Sequence, residues 1–130
     1  MPHSEPTAMT LHYLDFDYSE DDHGTGTWDA MASVAAPQRA AVHAEIAAVL
    51  AWAHDAFAGE RGPLDDGGRW DYDLQETEDR ATPWHLAFNE ATGQLTAQPG
   101  RPGVPRHTVT LSISGDADFG AALRERFALE

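Results

Sequence analysis

The sequence predicts an α+β fold: a two-layer sandwich in which a mainly antiparallel sheet of about five to six strands carries two helices on one face, in the order β-β-α-β-β-β-α. Three observations predict it. Short runs with period-two alternation lie on both sides of one long stretch at helical spacing, and a second helical stripe closes the chain. Each strand shows a single apolar face, so the sheet is expected to be covered on one side and wet on the other. At 130 residues the chain has the size of one domain, 1–130, with 1–8 expected to be a flexible tail.

From Met9 to Tyr18, His12, Leu14, Phe16 and Tyr18 alternate with Leu11, Tyr13, Asp15 and Asp17, a strand with one wet face. The polar run Ser19 to Thr27 separates it from a second strand, Trp28 to Val34, making a hairpin. Pro37 suits a first helical turn, and Val42, Ile46, Val49, Leu50, Ala53 and Phe57 form one stripe of the helix that follows. Gly59 and the loop through Gly68 end it. Arg69 to Gln75 is a third strand, with Trp70, Tyr72 and Leu74 facing inward and Asp71, Asp73 and Gln75 outward. Trp84, Leu86 and Phe88 alternate with His85 and Asn89, and a turn at Glu90 to Gly93 leads into Gln94 to Gln98, a second hairpin. After a proline-rich loop, Thr108 to Ser114 alternates most cleanly, with Val109, Leu111 and Ile113 inward. Asp116 is placed to cap a last helix carrying Phe119, Leu123 and Phe127.

Charge and composition narrow the function. Twenty-two Asp and Glu against eight Arg and no Lys give a net charge of -14, which repels nucleic acid and anionic membrane and leaves a basic protein or a second copy as the expected partner. The absence of Cys removes disulfides, thiol nucleophiles and thiolate metal sites and fits a reducing compartment. Residues 1–9 hold no apolar run, so neither a signal peptide nor an anchor is expected and the cytoplasm is the expected location. The Ala-rich, Lys-free composition is what a GC-rich bacterial genome tends to write.

No motif for chemistry survives inspection. The acidic run from Asp15 to Asp22 has oxygen ligands suited to calcium, but an EF-hand loop counted from Asp15 finds Glu20 where Gly is needed and Gly26 where Glu is needed. No two histidines stand four residues apart, and no G-x-S-x-G occurs, so neither a metal nor a cofactor is expected. Trp28, Trp70 and Trp84 share the inward parity of their strands and are expected in the core, whereas Trp52 falls at the flank of its helix, free to cover a sheet edge or meet a partner.

What remains is a pattern. Asp15, Asp17, Asp29, Asp71 and Asp73 take the outward parity on three strands, beside a fourth strand lined with Thr108, Thr110, Ser112 and Ser114. Like charges on neighbouring strands cost stability, so the face is a candidate binding surface. The expected function is a non-enzymatic binding or adaptor module, with Asp15, Asp17, Asp29, Asp71, Asp73, His85 and Trp52 as candidate binding residues. The alternative is a small enzyme or ligand-binding protein that joins the outward carboxylates to His85 or His107.

Overall fold

Alternation along the chain becomes alternation in burial where a second layer covers the strand. The structure, a computed structural model, describes residues 9–129, so the expected N-terminal tail lies outside the described residues. Its elements are β1 (Phe16–Glu20), β2 (Gly26–Ala35), α1 (Ala36–Ala56), β3 (Trp70–Asp79), β4 (Trp84–Asn89), β5 (Gln94–Pro99), β6 (Arg106–Gly115) and α2 (Ala117–Phe127). This is the expected α+β order, with every strand pair antiparallel. The six strands form two sheets: one of four strands in the order β1-β2-β6-β3, and the separate pair β4-β5.

In β2 the residues Trp28, Ala30 and Ala32 are buried, and in β6 Val109, Leu111 and Ile113 are. α1 lays Val42, Ile46, Val49 and Ala53 on that surface, and α2 adds Phe119, Leu123 and Phe127, making one contiguous core. Leu50, Phe57, Phe16 and Tyr72, also expected in the core, pack against it partly buried. Each large buried side chain contributes about 1.5–3 kcal/mol of transfer free energy. Two glycines let α2 settle this closely: a Cβ on Gly115 would run into the Phe119 ring, and one on Gly120 would stand 2.6 Å from Trp28. Asp116 caps α2 as its position suggested, accepting the Phe119 amide at 2.8 Å.

Two boundaries differ from expectation by more than two residues. The first strand was expected from Met9, but its ladder begins at Phe16 because the amides before it have another partner. The Glu45 carboxylate, buried on the inner face of α1, accepts the backbone N–H groups of His12, Tyr13 and Leu14 at 2.9–3.1 Å. The third strand continues beyond Gln75 to Asp79, since β6 is long enough to pair with every residue up to Arg106.

β4 and β5 extend the β3-β6 ladder past the end of the main sheet. The Gly100 amide donates to the Pro83 carbonyl (2.6 Å) and the Gly103 amide to the Ala81 carbonyl (2.7 Å), while Pro83, Pro99, Pro102 and Pro105 interrupt regular pairing between. The result is a projecting ribbon. Every residue of both its strands is exposed, which corrects the expectation that Trp84 belongs to the core: neither described helix covers this hairpin.

Candidate functional site

Three surfaces hold the groups of interest. The first is the open face of the main sheet. Strand register sets Asp17 opposite Asp29, Asp29 opposite Ser112, and Ser112 opposite Asp73, a row across all four strands. In the next row Asp71 lies opposite Ser114, whose hydroxyl is 3.1 Å from that of Thr27. The outward aspartates thus form two acidic strips separated by the hydroxyls of β6. Asp15 precedes β1 and is exposed. Asp71 is engaged: its carboxylate accepts Arg61 Nε and the Tyr72 amide, both at 2.9 Å.

The other two named residues lie elsewhere. His85 sits on β4, in the ribbon, and Trp52 is half-buried among aromatics, its ring edge-on to Phe57 and Phe127 at 6.2 and 5.6 Å. His107, the alternative histidine, is buried on the inner side of β6. Neither histidine shares a surface with the acidic rows.

The second surface is one that sequence reasoning missed. Between α1 and β3 runs a groove of about 440 Å³ floored by Ile46, Ala47, Leu50, Leu74 and Val109. At its polar end Arg39 and His43, one helical turn apart on α1, both reach Glu76 of β3. Arg39 donates through Nε and Nη2 to Oε2 (2.9 and 2.6 Å), and His43 Nε2 lies 2.6 Å from Oε1. Hydrogen bonds from Arg39, then from His43, hold the Glu76 carboxyl far below the ordinary range, at about 2. His107 stands behind, its Nδ1 3.9 Å from Glu76 and without a hydrogen-bond partner among the described residues. The available signal was an i, i+4 Arg/His pair, together with a carboxylate at the inward parity of a strand. Among the described residues no group of three or more His, Asp or Glu side chains is arranged to hold a metal ion.

The third surface is the ribbon. Trp84, Leu86 and Phe88 alternate along β4, and Leu95 and Ala97 of β5 lie opposite Phe88 and Leu86. These side chains stand in water: Trp84 is 58% exposed, Leu86 65%, Phe88 61% and Leu95 65%. The other face shows His85, Ala87, Asn89, Thr96 and Gln98, so the ribbon is amphipathic, with no layer among the described residues to cover it. Residues 80–106 carry three Arg and one Glu, a net +2, which leaves -16 on the remainder of a chain of net -14.

Comparison with protein-family models, with curated proteins and with solved structures finds no match to this chain. No helix among the described residues is long and apolar enough to cross a membrane.

Proposed function

We propose that the protein is a binding module, and that the β4-β5 ribbon is the element that meets its partner. One observation carries the reading: Trp84, Leu86, Phe88 and Leu95 leave about 500 Å² of apolar surface uncovered on one side of the ribbon, the size at which patches mark interaction sites. A two-stranded hairpin is marginally stable alone, so burying this face in a complex also supports the ribbon itself. The acidic body favours a basic partner, or the ribbon of a second copy, whose strands carry no charged side chain.

The outward carboxylates share no surface with His85 or His107, so an enzymatic reading would turn instead to Glu76, between His43 and His107 at the end of an apolar groove. It has less support. A carboxylate held at about 2 is a weak base near neutral pH, and both its oxygens are already engaged by Arg39 and His43.

The test is affinity purification with the wild-type chain and with a Leu86→Asp, Phe88→Asp double variant, each at low and high salt. Loss of partners in the variant at both salt concentrations is the expected result. Partners retained by the variant and released by salt would assign binding to the acidic face instead.

A further inference from the structure

We infer that the ribbon's partner is a second copy of this chain: β4 of each copy pairs antiparallel with the open edge of the other's β3 and lays its apolar side chains along the groove beside α1. The inference rests on the binding reading above and names the occupant.

Backbone geometry supplies the first argument. β3 is an edge strand, and one of its sides is held by β6. On the other side Gly62 N–H donates to the Trp70 carbonyl, and the Tyr72 amide donates to Asp71, so the even-numbered residues point their backbone groups outward. Beyond Tyr72 this leaves Leu74, Glu76 and Glu78 as an open row. In β4 the Pro83 and Ala87 carbonyls turn toward β5's side of the ribbon, where they accept from Gly100 and Thr96, so Trp84, Leu86 and Phe88 present theirs to the opposite edge. Three residues meet three. Antiparallel pairing sets Trp84 opposite Glu78, Leu86 opposite Glu76 and Phe88 opposite Leu74, with all these side chains on the helix side.

Because β3 and β4 are successive parts of one chain, a two-fold axis near Ala81 makes both pairings at once. The contact is self-complementary and closes as a dimer. Each sheet then reads β1-β2-β6-β3 followed by the other copy's β4-β5, six strands with two helices on one face. Phe88 enters beside Leu74, Ile46 and Leu50, where the groove of about 440 Å³ has room for it.

Charge selects this pairing over its competitors. β3 carries Asp71, Asp73, Glu76, Glu78 and Asp79, so two β3 edges repel each other. β4 and β5 hold no Asp, Glu, Lys or Arg, and Arg80, Arg101 and Arg106 flank them. Two apolar ribbon faces together offer about 1,000 Å², and the strand pairing and groove walls bring the total toward the roughly 1,600 Å² of a standard interface. The same pairing within one chain would need a tight turn at 80–83, where Pro83 biases Thr82 toward an extended backbone.

The test joins molecular mass in solution with a directed disulfide. Light scattering of the full chain at tens of micromolar should give the mass of a dimer, and Leu86→Asp with Phe88→Asp should give a monomer of unchanged far-UV circular dichroism. Since the chain has no Cys, a Leu74→Cys, Phe88→Cys variant reports the pairing alone. In the proposed register these positions stand about 5.5 Å apart between copies, within disulfide reach, whereas along one extended chain they are roughly 45 Å apart. Oxidation should give a covalent dimer on a denaturing gel. A monomer with an internal disulfide, a monomer with none, or a dimer that neither cross-links nor responds to the double Asp variant would each overturn the inference. If the wild type is monomeric yet its ribbon captures another protein, only self-pairing falls; with no ribbon-dependent capture, the binding reading falls as well.

Discussion

In the main sheet, every second residue of β2 and β6 passes from water into a core roofed by α1 and α2; in the β4-β5 ribbon the same alternation ends in water on both sides. Trp70 and Trp84 make the contrast concrete. Both follow a polar stretch and open an alternating run, but Trp70 is fully buried, stacked on Phe119 with ring centroids 5.4 Å apart, and Trp84 is exposed. Alternation therefore specifies a strand and its two faces, while burial depends on whether another element reaches that strand. Helices α1 and α2 cover β2 and β6 but, on β3, bury only Trp70 and partly Tyr72, and the described helices reach nothing along the ribbon.

The largest expected effect sets the two regions directly against each other. Trp70→Ala should cost about 3–5 kcal/mol of unfolding free energy, whereas Phe88→Ala, in protein dilute enough to be monomeric, should cost under about 0.5 kcal/mol. Denaturant titration checks both, and equal losses would put the ribbon inside the cooperative unit. Next comes Glu45→Gln. A carboxamide keeps one oxygen for three amides and turns an N–H group toward them, so a loss of about 2–3 kcal/mol is expected. If limited proteolysis then cleaves near residues 12–14 before the body unfolds, Glu45 is the tie that seats this segment.

A smaller effect depends on pH. Glu76 is depressed in the folded state from 4.5 to about 2, so its ion pair adds stability that is fully present above pH 4.5 and is lost as pH falls through about 2. The thermal midpoint of wild type should exceed that of Glu76→Gln at pH 7 and converge on it between pH 4.5 and 2. A constant gap across that window would mean that the substitution acts through packing. The smallest effect is expected on the open face, where Asp17 and Asp29 oppose each other: Asp17→Asn should leave the midpoint unchanged or raise it by about 1–2 °C. Asp71→Asn should lower it instead, because Arg61 loses its partner.

Much of the fold was legible because its signals are local. The parity of β2 and β6, the stripe of α1 and the cap at Asp116 each follow from residues within a few positions of one another, as do the outward aspartates that the register then aligned. What was hidden depends on distant parts of the chain. The Glu45 carboxylate finds its amides some thirty residues away, and it reads locally as one more charge on a helix. Arg39 and His43 gain their meaning only when β3 brings Glu76 alongside. His85 and the aspartates were grouped by chemistry, but the hairpin that carries His85 leaves the sheet before any strand can bring them together.

The placing of the four tryptophans gives the molecule a built-in optical label. Trp28 and Trp70 are shut inside the body and Trp52 lies half-buried between its helices, so in the free chain the most red-shifted, most readily quenched part of the indole emission should come from Trp84. Any event that covers the ribbon should move that part toward the blue and shield it from acrylamide, with the signal of the other three left as a reference from the same protein.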